Sequence, residues 1–273
     1  MEEKKPLLTI ITVCFNAQGK LEETLKSIRS QTFRDYEVIV KDGGSLDGSL
    51  ACIGDFDDIP LRLVVKEDAG IYDAMNEAVR YAKGEYVYFL NCGDVFAGKD
   101  VLGKIFAFME NNGRENSGGF RVYYGNIIDG TTGAKVSSNP RISAFACYRN
   151  VPCHQACIYS RDLLLEHPFD LRFRVRADYE QFLWAFFRSE TRFVYMDLVV
   201  AEYEGGGYSE KKKKLSAAEH EKITAMYMSP LRIRFYRMIL VLTLAPLRKK
   251  LASDRITSGI YNGIKSLIYR FRR

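Results

Sequence analysis

Gly84-Glu85-Tyr86-Val87-Tyr88-Phe89-Leu90-Asn91-Cys92-Gly93-Asp94 sets the reading of this chain. From Tyr86 to Leu90 the residues are aromatic or aliphatic without a break. That run is too short for a helix and matches a strand covered on both faces. Asn91 and Asp94 follow at once, with Gly93 between them where the backbone must turn sharply. In open α/β sheets, ligands bind just beyond the carboxyl ends of the strands. A carboxylate at such an end suits a hard divalent cation on an anionic ligand. A residue that merely closes a turn would look the same in isolation, so the other strand ends decide.

Leu7 to Phe15 is a β-rich run ending at Asn16, and Lys20 to Gln31 follows with Leu21, Leu25 and Ile28 at helical spacing. Tyr36 to Lys41 reads as a second strand, closed by Asp42-Gly43-Gly44-Ser45-Leu46-Asp47-Gly48. A short helical stretch from Ser49 leads to a third strand, Leu61 to Lys66, which ends at Glu67 and Asp68. Ile71 to Ala82 places Ile71, Met75, Ala78, Val79 and Ala82 on one helical face, and the Tyr86 strand comes next. Strands joined by helical crossovers of this length form a parallel sheet. Each strand delivers a polar group to the same edge: Asn16, Asp42, Asp68, then Asn91 with Asp94. Carboxylates gathered at one edge repel unless a cation or hydrogen-bond donors compensate. The edge therefore reads as a pocket for a base or sugar and a metal-bridged diphosphate.

Two common nucleotide-binding patterns are missing. Phe15-Asn16-Ala17-Gln18-Gly19 lacks the G-x-G-x-x-G of dinucleotide folds, and no G-x-x-x-x-G-K-[ST] loop occurs. What the residues do carry is a resemblance. Thr-Val-Cys-Phe15-Asn16, Val-Ile-Val-Lys-Asp42-Gly-Gly-Ser-Leu-Asp-Gly-Ser, Glu67-Asp68-Ala-Gly-Ile-Tyr-Asp-Ala-Met-Asn76 and Phe-Leu-Asn91-Cys-Gly-Asp94 resemble family 2 glycosyltransferases of the GT-A fold. The likeness is strongest to the bacterial branch that builds surface polysaccharides, and it covers residues 7 to 205. It implies that Phe15, Asn16, Asp42, Asp68, Asn76 and Asn91 surround the nucleotide sugar. Asp42 would hydrogen-bond the base, with Asp68 and Asn76 near the sugar or diphosphate. Asp94 would be the metal-binding acid, holding Mn²⁺ or Mg²⁺. Many members have two adjacent acids where this chain has Asn91-Cys92-Gly93-Asp94, which leaves one carboxylate for the metal.

Val101 to Glu110 reads as a helix, residues 111 to 119 as a solvated loop, and Arg121 to Ile128 with the stretch after Gly133 as a hairpin. Arg141 to Val151 shows no period and is a candidate flap over the site. Cys153, His154 and Cys157 are zinc-ligand types, but no second ligand pair accompanies them. Similar proteins have a His-Gln pair here, so His154 is carried as a donor-site candidate. Asp178 sits where a helix N-cap would sit, ahead of a helix rich in Phe182, Trp184, Phe186 and Phe187. Ala177-Asp178-Tyr179-Glu180 is similar to the family's acidic motif, which implies that Asp178, or Glu180 in its place, deprotonates the acceptor hydroxyl. Arg192 to Met196 and Leu198 to Tyr203 read as closing strands. They are followed by a glycine hinge, residues 204 to 209, and a run of lysines from Lys211 to Lys214.

Charge divides the chain. Residues 231 to 273 hold eleven Lys or Arg against one acid, Asp254, whereas the rest is mildly acidic although the whole is +6. A nucleic-acid-binding body does not fit; a basic tail pairs most simply with an anionic membrane surface. Met238 to Ala245 is too short to cross a bilayer. Phe235, Ile239, Leu242, Leu247 and later apolar residues alternate with basic ones, as in an interfacial amphipathic helix. Packing on the body or on a second copy, a homodimer, is the alternative. The six cysteines show no framework spacing, and Met1-Glu2-Glu3-Lys4-Lys5 runs straight into a strand, so a reducing cytoplasm is expected.

The expected architecture is thus α/β: a GT-A, Rossmann-like, open and mainly parallel sheet flanked by helices, with a C-terminal helical tail. Residues 1–210 form the catalytic domain, with a nucleotide-sugar half to about residue 98 and an acceptor half after it, and residues 211–273 form the tail. The expected activity is inverting transfer from a nucleotide-diphosphate sugar to a saccharide or lipid-linked saccharide, at the inner face of the cell membrane. A sugar-phosphate nucleotidyltransferase would need a phosphate loop after the first strand, which Phe15 to Gly19 does not supply. A catalytically inactive nucleotide-sugar-binding scaffold that docks on membranes is the alternative outside enzymes.

Overall fold

In the computed structural model, which describes residues 5–112, 119–205, 212–243 and 263–264, the first strand is the innermost. Every residue of β1 (Leu8–Cys14) is buried. It pairs in parallel with β2 (Tyr36–Asp42) on one side and β4 (Tyr86–Phe89) on the other, and β2 carries β3 (Leu61–Val65), also parallel. α1 (Lys20–Arg29), a 3-10 stretch (Ser49–Phe56) and α2 (Ile71–Tyr81) are the crossovers. A Cβ on Gly84 would lie 2.5 Å from the Thr9 backbone nitrogen, so only glycine lets β4 enter beside β1. β3 is an edge, and its partly exposed side chains, Arg62 within it and Lys66 just after it suit an edge strand.

Beyond β4 the sheet changes character. α3 (Val101–Asn111) follows the two-residue β5 (Val95–Phe96), and β6 (Arg121–Asp129) forms a hairpin with β7 (Ala134–Val136). After α4 (Ala144–Arg149) come a 3-10 turn (His154–Ala156), β8 (Cys157–Ser160), α5 (Arg161–Glu166), α6 (Ala177–Arg188) and β9 (Arg192–Tyr203). The sheet runs β3-β2-β1-β4-β8-β6-β9-β5, with β7 on β6. β8 is antiparallel to β4 and β6, β9 is parallel to β6, and β5 is antiparallel to β9. The two closing strands expected from sequence are one, since β9 continues through Leu198 with a register shift against β6. The segment without a period, Arg141 to Val151, contains α4, capped by the Ser143 hydroxyl.

Alternation along the strands divides the core. Ile11, Val13, Ile39, Val87 and Phe89 face α2, α5 and α6, whereas Ile10, Val38, Val40, Tyr88 and Leu90 face α1 and α3. α7 (Lys213–Tyr227) lies on α6 with Ile223 and Glu219 buried, so the packed body continues past residue 210. α8 (Pro230–Leu242), opened by Ser229 and a first-turn proline, rests on α4. No described helix is long and apolar enough to cross a membrane. The expected loop at 113–118, the hinge glycines at 206–207 and the tail from 244, apart from residues 263–264, lie outside the described residues.

Candidate active site

Two adjoining cavities open at the carboxyl ends of β1, β2 and β4, and both are lined by Ile71. Sequence periodicity places Ile71 on the buried face of α2; it is 37% exposed here, and Tyr72 takes the inward position. The smaller cavity, about 300 Å³, is walled by Phe15, Gly43, Asp68 and Gly70. Phe15 is 64% exposed, a costly position for a phenyl ring without a ligand. A Cβ on Gly43 would come within 2.9 Å of Asp68 Oδ2 and 3.1 Å of the Phe15 ring, so its absence keeps this space open. Asp68 is held in place by Lys41, a fully buried lysine whose Nζ donates to Asp68 Oδ2 at 2.9 Å and to the carbonyls of Asp42 and Lys66.

Three residues expected at the donor are committed elsewhere. Asp42 is buried, and its carboxylate accepts from the Gly44 and Ser45 N–H groups and the Ser45 hydroxyl, so it folds the loop rather than facing the cavity. Asn16, in the left-handed region at φ 47°, accepts from Leu46 N–H through Oδ1, and its own N–H donates to the Ser45 hydroxyl oxygen. Asn76 closes both of its amide bonds on the backbone of Phe169, tying α2 to the segment after α5.

The turn after β4 is clamped from α1, where Thr24 Oγ1 donates to the Asp94 carbonyl and accepts from Gly93 N–H. Gly93 has φ 92°, and a Cβ there would meet the Glu204 carboxylate. Asp94 is 3% exposed; Oδ2 accepts from Gln155 Nε2 at 2.9 Å and Oδ1 from Glu204 N–H at 3.0 Å. Burial pushes its carboxyl above the usual range against those two bonds. Among the described residues no lysine or arginine pairs with it. Beside it, Asn91 Oδ1 is buried without a hydrogen-bond partner. No described cluster of three or more His, Cys, Asp or Glu side chains stands ready to hold a metal alone. An unpaired buried carboxylate and an orphaned amide oxygen nevertheless fit a cation that arrives with a diphosphate, since such ions take one or two protein oxygens and complete their shell with phosphate and water.

The larger cavity, about 440 Å³, contains the second carboxylate. Asp178 is not the N-cap of α6: Arg176 holds that position, and Asp178 lies inside the first turn. Its Oδ1 accepts from Tyr72 OH at 2.9 Å and Tyr179 N–H at 2.8 Å, whereas Oδ2 faces His154 Nδ1 at 3.3 Å. Asn91 Nδ2 is 3.1 Å from His154 Nε2. A donor amide there assigns Nε2 as the acceptor and leaves the proton on Nδ1, toward Asp178. Burial pushes the Asp178 carboxyl up, but His154, Tyr72 and the Tyr179 N–H together hold it below the usual range. The carboxylate is therefore ionised at neutral pH, with its side chain 25% exposed to the cavity.

Glu180, the alternative base, lies on the opposite side of α6. It is 1% exposed, faces His167 Nε2 at 3.0 Å and accepts from Tyr227 OH, within the α6–α7 packing. A residue two positions along a helix points away from its neighbour. Several functional side chains escape the sequence reading. Gln155 stood beside His154 in the quoted pair. Tyr72 lies outside the apolar face that the spacing of α2 marks out. Glu219, whose carboxylate accepts the N–H groups of Arg174, Val175 and Arg176 ahead of α6, has no local signal.

An open sheet with a cavity over its strand ends, a buried carboxylate at the turn after β4 and a second carboxylate in an adjoining cavity suits a group-transfer enzyme. The family model for glycosyl transferase family 2 matches residues 9–166; the chain belongs to that family and is a glycosyltransferase. It is 33% identical over 209 residues to the PGL/p-HBAD biosynthesis glycosyltransferase of Mycobacterium tuberculosis, covering 75% of this chain and 79% of that one. Over 180 residues it is 27% identical to the Escherichia coli UDP-Glc:alpha-D-GlcNAc-diphosphoundecaprenol beta-1,3-glucosyltransferase WfgD, covering 65% and 68%. Among solved structures, S. aureus TarS superposes with a TM-score of 0.61 at 19% identity, covering 81% of this chain and 42% of that one. Less than half the TarS chain is therefore spanned. The mannosyltransferase PcManGT of Pyrobaculum calidifontis, solved with GDP-Man and Mn²⁺, superposes with a TM-score of 0.59 at 18% identity, covering 97% and 88%. These superpositions bear out the GT-A fold.

Proposed function

We propose that the chain is an inverting hexosyltransferase that moves a sugar from a UDP-linked donor to a hydroxyl of a saccharide or lipid-linked acceptor in polysaccharide assembly. The observation that carries this reading is Asp178: a carboxylate that lines the larger cavity, with Oδ1 accepting two hydrogen bonds and Oδ2 facing His154 Nδ1. The nucleoside fits the smaller cavity, its base against Phe15 and its polar edge toward Asp68, and the diphosphate and sugar extend past Ile71 to Asn91 and His154. Asn91 and Asp94 would hold a divalent cation, Mn²⁺ or Mg²⁺, which when bound would supply charge neutralisation for the departing diphosphate. Asp178 Oδ2 accepts the proton of the acceptor hydroxyl as that oxygen attacks the anomeric carbon, while Tyr72, Tyr179 N–H and the His154 N–H fix the carboxylate. WfgD's named donor and acceptor support the UDP-linked and lipid-linked parts of the reading. In the same reading the chain works in the cytoplasm, at the inner face of the cell membrane.

The test is Asp178→Asn. It is expected to lower kcat by roughly 10²- to 10⁴-fold, the usual worth of a general base, with UDP affinity and melting temperature close to wild type. Unchanged kcat in a folded variant would show that Asp178 only braces the first turn of α6.

A further inference from the structure

α8 has two apolar faces, and among the described residues only one is covered. Ile233, Tyr236 and Leu240 turn inward, where the Tyr236 ring packs against Phe145 at 5.1 Å and Tyr148 at 5.4 Å. Leu231, Phe235, Met238 and Leu242 recur at spacings of four, three and four, which aligns them along the opposite side. They are 81, 53, 51 and 73% exposed, and Val241 beside them is 66% exposed. An outward row of large apolar side chains on an already docked helix marks an interaction surface. The charged residues beside that row are of one sign, Arg232 and Arg234, with no Asp or Glu from 230 to 242; Arg237, further round the helix, lies 3.8 Å from Glu221 of α7.

We infer that this face of α8 docks on an anionic lipid surface, the apolar row entering the interface and the arginines meeting headgroup phosphates. Charge selects this occupant over the other candidates. A second copy joined through the same face by a two-fold axis would set Arg232 and Arg234 against themselves. Residues 244–273 carry eight Lys or Arg against one acid and so offer those arginines no charge complement. The position also suits the chemistry. α4, on which α8 rests, lines the larger cavity through Ala146 and Arg149, so docking sets that cavity beside the lipid surface. The docking stands apart from the catalytic reading, and its test needs no turnover.

Full-length protein is floated with vesicles of phosphatidylcholine alone or of phosphatidylcholine with phosphatidylglycerol, as wild type and as Phe235→Ser/Met238→Ser/Leu242→Ser. The altered side chains are exposed, so melting temperature and UDP binding serve as controls that should not move. Wild type is expected to float with the phosphatidylglycerol vesicles, to float poorly with neutral ones and to be released by salt. The triple variant should lose about tenfold in partitioning. Equal partitioning to both vesicle types, no partitioning at all, or undiminished partitioning of a folded variant would each overturn the inference. A concentration-dependent dimer abolished by the same three changes, with no vesicle binding by wild type, would overturn it in favour of a second copy.

Discussion

Asp178 and Glu180 stand two positions apart, and the helix sends them to different environments. Glu180→Gln is expected to leave kcat within about twofold of wild type. It weakens the bonds to His167 and Tyr227 and should cost roughly 1–3 kcal/mol of stability, read by denaturant titration. A large loss of kcat at unchanged stability would move the base to Glu180. Tyr72→Phe removes one donor from Asp178, so the carboxyl should rise toward its ordinary value and the acid limb of kcat/KM should shift to higher pH. A limb that stays in place would show that Tyr72 does not tune the base. Because the Asp178 carboxyl lies below its unfolded value, its ionised form adds stability at neutral pH; this is lost as pH falls through the folded-state value, below about 4. At this scale the sequence showed residue types but not bond partners. Asp42, Asn16 and Asn76 were legible as polar groups near a strand edge. That their side chains are committed to Ser45, Leu46 and Phe169 depends on contacts between loops far apart in the chain.

The element that organises the site is the turn from Asn91 to Asp94, held by α1 on one side and by β5 against β9 on the other. Gly93→Ala should cost about 1–2 kcal/mol for its left-handed backbone and also weaken UDP binding, because the new methyl meets Glu204. Gly133→Ala, at φ 67° with nothing within 4 Å, is the control: a comparable loss of stability with UDP binding intact. Equal binding in both variants would detach the turn from the donor. Glu219→Gln loosens the segment before α6 and should lower kcat and stability together, by about 1–3 kcal/mol in stability, without changing UDP affinity. A change in UDP affinity instead would place Glu219's influence at the donor. The four parallel strands and the first two long helices were readable because their apolar spacing is local. β5 has two residues and no period, the antiparallel placement of β8 depends on its partners, and α7 looked like part of a basic tail because its burying partner is α6.

At the scale of the whole molecule, one sheet carries two cavities and separates two apolar cores, and in the proposed reading donor and acceptor share the edge formed by β1, β2 and β4. That edge was legible from the order of the strand-end motifs; the cavities were not, because they depend on Phe15, Gly43 and Asp68 meeting from three different strand ends. The account turns on a nucleotide occupying this edge, and equilibrium binding of UDP, with and without Mn²⁺, tests it most directly in wild type, Phe15→Ala, Asp94→Asn and Asp178→Asn. The prediction is binding by wild type that strengthens with Mn²⁺, loss on Phe15→Ala, loss of the Mn²⁺ effect on Asp94→Asn, and near wild-type affinity for Asp178→Asn. Folded wild type that binds no nucleoside diphosphate under either condition would contradict it.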